Sequence, residues 1–535
     1  MPEGSTSRRS IVRTVDAVVV GAGFGGLYML HRLRDLGLSV QGIEAGEGVG
    51  GTWYWNRYPG ARCDLPSLAY SYNFSEDLRR EWRWSERYSP QSEILRYAEH
   101  VADRFDLKPL IAFGARVTHA AFDDDAGVWT LETDRGDRIV ARWCVMATGC
   151  LSIPQKPTLP GEETFKGTIY HTAAWPHEQV ELGGLSVGVI GTGSSGIQSI
   201  PVIAEAARRV TVFQRTPNFS VPSRNGPLSD AEIAEFRAAY PEYLETLRNS
   251  PGLVGAAEGA PIPSEAEQQQ AYERLWGAGG PSLIAAFPNL FTSVEVNDGA
   301  SEFVRRKIAE VVDDPAVAAV LQPHDHPIGT KRICVDSDYY QTYNRPNVEL
   351  VDLRRTPIEA ITPTGLRTTE REYSLDVLVF ATGFDAISGA LLAIDIRGSG
   401  GARLKDAWAN GPLAYLGMTV AGFPNLFTIT GPGSPSVLSN MIPAIEQHVD
   451  WIADCIGYMR EKGYRRIAGE PSAQAAWMAH VQAVADSSLF PRANSWYVGA
   501  NIPGKPRLFT TYIGAGYRAK CDEVAARGYE GFVLA

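Results

Sequence analysis

Asp16-Ala-Val-Val-Val-Gly-Ala-Gly-Phe-Gly-Gly-Leu27 is an apolar run, typical of a buried strand, that turns through glycines in the pattern G-x-G-x-x-G. A helical pattern follows from Leu27 to Leu36, and a second short strand runs from Ser39 to Ile43. In such a unit the first glycine permits a tight turn, the second lets a pyrophosphate approach the backbone, and the third lets the helix pack on the strand. These glycines are Gly21, Gly23 and Gly26. The stretch therefore predicts a dinucleotide-binding βαβ unit whose helix N-terminus offers N–H groups to an anion.

The same design recurs in Ser186-Val-Gly-Val-Ile-Gly-Thr-Gly-Ser-Ser-Gly196, whose glycines are Gly191, Gly193 and Gly196. A helical pattern continues to about Arg208, and a strand from Val210 to Gln214 follows it. One G-x-G-x-x-G pattern is weak evidence by itself, because short motifs occur by chance. Two complete copies, each with strand, turn, helix and second strand in order, predict two separate dinucleotide sites.

The residues that follow the second strand of each unit differ in charge. Glu44 offers a carboxylate that accepts hydrogen bonds from a ribose diol and repels a 2′-phosphate, so we expect the first unit to bind FAD or NAD. Arg215 and Thr216 offer a cation and a hydroxyl, which suit a 2′-phosphate, so we expect the second unit to bind NADPH. The alternative for Arg215 is an ordinary solvated arginine at the end of a strand.

Two apolar runs that end in Ala-Thr-Gly, within 143–149 and 378–384, indicate where the chain leaves one dinucleotide domain and enters the next. Helix starts at Ser229, Ser264 and Asp314 predict a helical insertion between the second unit and the second crossing. We therefore predict an α/β fold with two Rossmann-like domains and a helical insertion in the NADP domain. The predicted bounds are 8–150 and 385–535 for the FAD domain, 151–217 and 326–384 for the NADP domain, and 218–325 for the helical subdomain.

Composition excludes several classes of protein. The 535 residues include 50 Lys and Arg against 61 Asp and Glu, a net charge of −11, and no long basic run, which argues against nucleic acid or an anionic membrane as partner. No long apolar run and no secretory signal in the first fourteen residues are present, so we expect no membrane span and a cytoplasmic location. The six cysteines form no C-x-x-C pair and the nine histidines show no metal-ligand spacing, so we predict no metal site.

A glycine-rich loop, Gly431-Pro-Gly-Ser-Pro-Ser-Val-Leu-Ser-Asn440, precedes a helical pattern with an apolar stripe. The stripe indicates a core helix. We expect its N-terminus to present free N–H groups and a positive dipole end that could face the anionic ring of a reduced flavin.

Two further motifs are specific. Gly50-Gly-Thr-Trp-Tyr-Trp-Asn-Arg-Tyr-Pro-Gly-Ala-Arg-Cys-Asp64 matches the pattern G-G-x-W-x4-[FY]-P-G-x3-D, and Phe165-Lys-Gly-Thr-Ile-Tyr-His-Thr-Ala-Ala-Trp-Pro176 matches F-x-G-x-x-x-H-x-x-x-W-P. With both glycine patterns around them, these motifs make the chain resemble the Baeyer-Villiger monooxygenases over nearly its whole length. The resemblance implies a monomeric, FAD- and NADPH-dependent monooxygenase that converts ketones to esters or lactones with O2 through a C4a-peroxyflavin. Aromatic ketones such as phenylacetone are the expected substrates, with cyclic and steroid ketones as alternatives.

The resemblance also implies roles for individual residues. Arg332 is similar to the family's catalytic arginine, and Asp64 to the carboxylate that pairs with it. The expected flavin contacts are Gly21, Gly23, Gly26, Glu44, Thr52, Trp53, Tyr54, Trp55, Asp64, Tyr70, Val117 and Met441. The expected NADP contacts are Gly191, Thr192, Gly193, Ser194, Ser195, Gly196, Ile197, Gln198, Arg215, Thr216, Lys331, Arg332 and Trp496. The expected substrate pocket comprises Leu65, Cys150, Cys334, Ser436, Val437 and Leu438.

Several alternatives stay open at this point. Although the resemblance places Cys150 and Cys334 in the pocket, we expect them to be small buried hydrophobes without a reactive role, because free cysteine is commonly buried. His171 need not be an acid or base, since it fits the role of a structural hinge between the two dinucleotide domains. A flavin monooxygenase that oxidises amines or sulfides would share both glycine patterns without requiring Arg332, and a non-catalytic NADP redox sensor would share the NADP site. A flavoprotein disulfide reductase is excluded because no C-x-x-C pair exists.

Overall fold

The computed structural model describes residues 12–250, 252–255 and 259–535. The predicted start of the FAD domain at residue 8 and most of the segment inspected for a secretory signal lie outside the described residues. Within the described part of the chain, none of the helices combines the length and the hydrophobicity that crossing a bilayer requires.

Strands and helices are distributed over the whole described part of the chain. The strands are β1 (Val12–Val20), β2 (Val40–Ile43), β3 (Ile111–Ala112), β4 (Val117–Asp123), β5 (Val128–Thr133), β6 (Arg138–Met146), β7 (Thr168–His171), β8 (Ser186–Ile190), β9 (Arg209–Gln214), β10 (Ser220–Pro222), β11 (Cys334–Asp336), β12 (Val348–Asp352), β13 (Ile358–Thr362), β14 (Gly365–Thr368), β15 (Glu372–Ser374), β16 (Val377–Phe380), β17 (Asp395–Arg397), β18 (Leu426–Thr428), β19 (Ile467–Gly469) and β20 (Phe532–Leu534). The α-helices are α1 (Phe24–Asp35), α2 (Thr52–Trp55), α3 (Glu76–Glu81), α4 (Gln91–Arg104), α5 (Ser194–Ala206), α6 (Asp230–Ala238), α7 (Tyr240–Arg248), α8 (Glu265–Ala278), α9 (Val294–Val311), α10 (Pro315–Leu321), α11 (Tyr339–Thr342), α12 (Gly389–Leu392), α13 (Leu404–Ala407), α14 (Met441–Lys462), α15 (Pro471–Asp486) and α16 (Tyr517–Ala526).

The larger sheet has the strand order β17-β4-β5-β6-β1-β2-β3, and β18 pairs with the end of β6. β1 lies at its centre and runs parallel to both β2 and β6. The last four residues of β1 are buried, as the apolar run predicted. One face of the strand packs with helices α1 and α14, and the other packs with side chains of β4, β5 and β17. β17 and β18 come from the C-terminal part of the chain, so both ends of the chain build this sheet.

The second sheet has the order β12-β9-β8-β16-β7, and all its pairings are parallel. β10 and β11 form a separate parallel pair, and helices α6 to α10 lie between them in the chain. The two predicted capping boxes are present at the starts of α6 and α8, and the Asp314 side chain caps α10. The predicted fold class and the helical character of the insertion are confirmed.

Helix α14 joins the core of the larger sheet to the loop at residues 73–74 through a buried carboxylate. Glu446 accepts hydrogen bonds from the Asn73 side chain at 2.7 Å and from the Phe74 backbone N–H at 2.9 Å. Burial raises the pKa of Glu446 from 4.5 to about 7, against the effect of these hydrogen bonds. The folded state therefore binds the proton of the Glu446 carboxyl group more tightly than the unfolded chain does. The stability that this protonation contributes is present below pH 4.5 and is lost as the pH rises through about 7.

We expect the Glu446→Gln variant to gain thermal stability relative to the wild type as the pH rises from about 5 to about 8, because the amide keeps an acceptor without a charge. The difference in Tm between variant and wild type should increase by roughly 2 °C or more across this range. Differential scanning calorimetry at several pH values measures it. Glu93→Gln is the matched control, since Glu93 is a buried carboxylate that accepts from the Ser85 backbone and hydroxyl. A Tm difference for Glu446→Gln that does not change with pH contradicts the prediction.

Candidate active site

The two glycine turns make the same contacts, residue for residue. Gly21 has φ of +107° and Gly191 has φ of +110°, a region that side chains rarely adopt. A Cβ on Gly21 would lie 2.4 Å from the Ala147 carbonyl oxygen, and one on Gly191 would lie 2.4 Å from that of Ala381. Both alanines belong to the Ala-Thr-Gly runs, so each of these runs packs against one of the two glycine turns.

The third glycine of each turn has a packing role. A Cβ on Gly26 would approach the Gly21 carbonyl oxygen to 1.9 Å, and one on Gly196 would approach that of Gly191 to 2.2 Å. Neither glycine lines the cavity described below. They hold helices α1 and α5 close to the turns, and these helices start without a side-chain cap. The first N–H groups of both helices are therefore free to bind an anion.

The charged groups at the ends of β2 and β9 differ as predicted. The Glu44 carboxylate accepts from the Ala22 backbone at 2.7 Å and from the Gly46 backbone at 2.8 Å, so it is held rigidly against the first turn. Burial raises its pKa, although these hydrogen bonds act in the opposite direction. Arg215 is exposed and makes no ion pair with any described residue. The Glu44 carboxylate thus lies beside the first turn, and the Arg215 guanidinium, which has no ion-pair partner among the described residues, lies beside the second.

One cavity of about 1100 Å³ reaches from the first turn to the second. Gly23 and Gly51 both line it and pack against each other: a Cβ on Gly51 would lie 2.8 Å from the Cα of Gly23, so this close backbone approach leaves no room for a side chain on Gly51. The cavity collects most of the predicted site: Gly21, Gly23, Glu44, Thr52, Trp53, Trp55, Asp64, Leu65, Tyr70, Val117, Cys150, Gly191, Thr192, Gly193, Ser194, Ser195, Gln198, Arg215, Thr216, Lys331, Arg332, Val437, Met441 and Trp496. The residues present fit two dinucleotides in this space.

Arg332 and Asp64 form a two-pronged ion pair in the middle of the cavity. Nε and Nη2 of Arg332 each donate to one Asp64 oxygen at 2.7 Å, and Nη1 donates to the Val437 carbonyl oxygen at 2.6 Å. Burial disfavours the charged guanidinium, but the Asp64 carboxylate more than offsets it, so the pKa of Arg332 is raised above its ordinary value. The arginine is a permanent positive charge with a fixed orientation.

Tyr497 is a neighbour of this pair that the sequence did not single out. Its side chain is almost fully buried near Arg332, and its hydroxyl has no hydrogen-bond partner among the described residues. Burial raises the pKa of Tyr497, so the phenol stays protonated. The only feature of the sequence that could have indicated Tyr497 as a site residue is its position next to Trp496.

Seven of the predicted site residues do not line the cavity: Gly26, Tyr54, Gly196, Ile197, Cys334, Ser436 and Leu438. The Tyr54 hydroxyl instead accepts from the Glu47 backbone N–H at 3.0 Å. Cys334 is 1% exposed and lies behind the wall, with its sulfur 3.4 Å from the Ser194 hydroxyl. Burial raises the pKa of the Cys150 thiol, and it raises the pKa of the Cys334 thiol to about 12. Both thiols are therefore neutral.

The expectation of free N–H groups at the start of α14 is wrong. The Asn440 side chain caps this helix and accepts from the Ile442 backbone N–H at 3.2 Å. Pro443 has no N–H, and the Ala444 N–H binds the Asn440 carbonyl oxygen. Only the first N–H of the helix is left for a ligand.

His171 has a positioning role. Its Nδ1 accepts from the Ala173 backbone at 3.0 Å, which leaves Nε2 to donate to the Gln155 carbonyl oxygen at 3.2 Å. Burial lowers the pKa of His171, which favours this neutral form. The His171 ring therefore connects the end of β7 to Gln155 in the segment between β6 and β7. His171 does not line the cavity.

The loop that carries Trp496 is fastened to the second crossing. The Asn501 side chain donates to the Phe384 carbonyl oxygen at 2.7 Å, and Lys505 Nζ lies 2.5 Å from an Asp385 carboxylate oxygen. Lys331 lies 3.3 Å from Asp325 and, like Arg215, lines the cavity.

Comparison with known proteins agrees with this geometry. Residues 15–239 match the family model described as pyridine nucleotide-disulphide oxidoreductase. A Baeyer-Villiger monooxygenase of Pseudooceanicola batsensis is 43% identical over 97% of this chain and 96% of its own length. The phenazine N-monooxygenase PhzNO1 of Lysobacter antibioticus is 42% identical over 97% of each chain.

Two solved structures have nearly the same fold. A steroid monooxygenase bound to NADP is 52% identical, has a TM-score of 0.91, and matches over 97% of this chain and 99% of its own. A monooxygenase named OTEMO, in complex with FAD and NADP, is 39% identical, has a TM-score of 0.92, and matches over the same shares. Both dinucleotide turns, the Arg332–Asp64 pair and relatives matched over their full length assign this chain to the Baeyer-Villiger monooxygenases, a family of FAD- and NADPH-dependent flavoproteins.

Proposed function

We propose that this enzyme converts ketones with an aromatic or cyclic apolar body, such as phenylacetone, to the corresponding esters or lactones with NADPH and O2. The observation that carries the proposal is the Arg332–Asp64 pair, which stands between the two dinucleotide turns in one cavity. When bound, FAD accepts hydride from NADPH and activates O2.

The flavin end of the cavity is the end that contains Gly21, Gly23 and Glu44. Glu44 would accept from the ribose hydroxyls of FAD, and the free N–H groups at the start of α1 would bind its pyrophosphate. At the other end, Arg215 and Lys331 would hold the 2′-phosphate of NADPH. We also propose that the domain bounds expected from the sequence describe the two cofactor domains and the helical subdomain, and that the enzyme acts as a monomer.

Arg332 would stabilise the negative charge that develops on oxygen when the ketone carbonyl is attacked. A guanidinium suits this role because it cannot lose its proton in the working pH range and because Asp64 fixes its orientation before the reaction begins. The residues therefore supply an electrostatic site rather than a proton donor.

The wall beside Arg332 favours an apolar substrate body. Leu65, Cys150, Val437 and Met441 line this part of the cavity, and burial keeps the Cys150 thiol neutral. The 52% identity to a steroid monooxygenase supports a bulky ketone as well as an aromatic one. Both small buried cysteines then act as apolar packing, which is the role that their raised pKa values favour.

Oxidation of a heteroatom is the second candidate, because the phenazine N-monooxygenase is nearly as similar as the Baeyer-Villiger relative. One assay separates the candidates. We expect NADPH consumption to rise with phenylacetone or a cyclic ketone and an equimolar ester or lactone to appear by mass spectrometry. Faster turnover of a phenazine or a sulfide, with no ester from any ketone, would establish the second candidate instead. NADPH binding without consumption would indicate a sensor.

We expect the Arg215→Gln variant to raise the KM for NADPH by about tenfold and to change the KM for NADH little, because it removes the cation that meets the 2′-phosphate. Steady-state kinetics with both coenzymes measures the change. Arg209→Gln is the matched control, since Arg209 is an exposed arginine at the other end of the same strand and pairs with Glu349. An equal effect of Arg215→Gln on both coenzymes would mean that Arg215 is an ordinary solvated arginine.

A further inference from the structure

A second cavity, of about 330 Å³, lies between the α3–α4 region and helix α6 of the insertion. Its apolar wall is made of five aromatic and three aliphatic side chains: Trp82, Trp84, Tyr97, Phe236, Tyr240, Leu68, Leu78 and Ile233. None of them lines the large cavity. The volume is at the lower end of the range for small-molecule pockets.

The rim of this second cavity is positively charged in a chain whose net charge is −11. Arg79, Arg80, Arg83 and Arg237 line it, against the single carboxylate of Glu76. This excess is local, because the arginines come from two segments that only the fold brings together.

Most of the polar groups on the rim already have partners. Arg79 donates to the Asn73 carbonyl oxygen and lies 4.2 Å from the centre of the Tyr240 ring, and Arg80 pairs with Glu76. Arg83 pairs with Asp230 at 2.5 Å. The Trp84 indole donates to the Ser71 hydroxyl at 2.8 Å. These groups shape the cavity but leave little hydrogen-bonding capacity for a ligand.

Two donors at the second cavity have no partner in the described part of the protein. The Arg237 side chain is exposed and forms no ion pair or side-chain hydrogen bond with any described residue, so its positive charge is available to a ligand. The buried indole Nε1–H of Trp82 has no acceptor among the described residues. A buried N–H without an acceptor is costly, so a ligand that supplies acceptor atoms would be stabilised here. An available cation and an N–H donor together favour an anion as the ligand.

We propose that the second cavity binds a small amphipathic carboxylate, with an aromatic or alicyclic body among the ring side chains and its carboxylate at Arg237. A carboxylate presents two acceptors in a plane, which the guanidinium fork matches. The small volume excludes a nucleotide, and the aromatic wall disfavours a bare inorganic anion. The proposal concerns a site separate from the cofactors and holds whichever ketone the enzyme oxidises.

The position of the second cavity connects it to the first. Leu68 and Ser71 line the second cavity, whereas Leu65 and Tyr70 from the same short segment line the large one. A bound carboxylate would therefore contact the back of the segment that forms part of the active-site wall.

The test uses FAD-loaded enzyme that is saturated with NADP+. The probe is 3-phenylpropanoate, and isothermal titration calorimetry measures its binding. We expect one molecule bound per chain, and about tenfold weaker binding of the neutral analogue 3-phenylpropanol. Arg237→Met should weaken the binding of the acid by about tenfold, and Trp82→Phe should also weaken it. Arg248→Met is the matched control, because Arg248 is an exposed arginine of the same insertion outside the cavity, and should change the affinity less than twofold.

Three results would overturn the proposal. They are the lack of saturable binding, equal affinity of the wild type and Arg237→Met, and displacement of the acid by phenylacetone, which would place it in the large cavity. Because the measurement is of binding, it is independent of whether the enzyme turns over the chosen ketone.

Discussion

Replacing Arg332 by Ala should reduce ester formation by at least about 100-fold while reduction of FAD by NADPH remains measurable. The substitution removes the fixed positive charge of the cavity and leaves Asp64 without its partner at 2.7 Å. The uncompensated carboxylate would then repel the negative charge that develops on the substrate oxygen. Anaerobic stopped-flow spectroscopy measures flavin reduction, and product analysis under air measures ester.

Two further variants test the reason for this loss. Arg332→Lys keeps a charge but cannot donate two parallel hydrogen bonds to Asp64, so its ester formation should lie between that of the wild type and Arg332→Ala. Arg345→Ala is the matched control, because Arg345 is exposed and its side chain forms no ion pair or hydrogen bond with any described residue. Normal ester formation by Arg332→Ala would remove Arg332 from the mechanism.

The paired variants Gly21→Ala and Gly191→Ala should lose different cofactors. Each places a Cβ 2.4 Å from a carbonyl oxygen at a positive φ, so the turn must open in both cases. Gly21→Ala should be purified with less than about a tenth of the wild-type FAD, whereas Gly191→Ala should retain FAD and show a KM for NADPH raised by about tenfold or more. The flavin absorbance of the purified protein and coenzyme kinetics give the two values.

Gly183→Ala is the control for this pair. Gly183 precedes the second βαβ unit, and a Cβ there would meet no atom within 4 Å, so both cofactors should bind normally. Loss of the same cofactor from Gly21→Ala and Gly191→Ala would contradict the assignment of FAD to the first turn and NADPH to the second.

Local patterns predicted the parts of the site that a short segment builds. The turns at Gly21 and Gly191, the contrast between Glu44 and Arg215, and the caps of α6 and α8 each depend on residues within about 25 positions, where spacing determines geometry. The family resemblance added the Arg332–Asp64 pair, whose members are far apart in the chain. The structure brings that pair together at hydrogen-bonding distance.

Contacts between segments that are distant in the chain could not be predicted from the sequence. Nothing in the pattern around Tyr497 indicates that its side chain is buried near Arg332. Asn440 looked like the end of a glycine-rich loop, yet its side chain occupies the helix start that was expected to be free. The second cavity likewise arises only where α3 and α6 meet. Such features depend on how whole elements pack, which no local spacing specifies.

The division of the larger sheet between the two ends of the chain has a consequence during protein synthesis. β17 and β18 pair with β4 and β6, but they leave the ribosome after the whole of the second sheet, whose last strand ends at Phe380. All strands of the second sheet can therefore pair while the larger sheet still lacks two of its own. If the second sheet binds the nicotinamide coenzyme as proposed, a polypeptide that ends at residue 384 should bind NADP without retaining FAD.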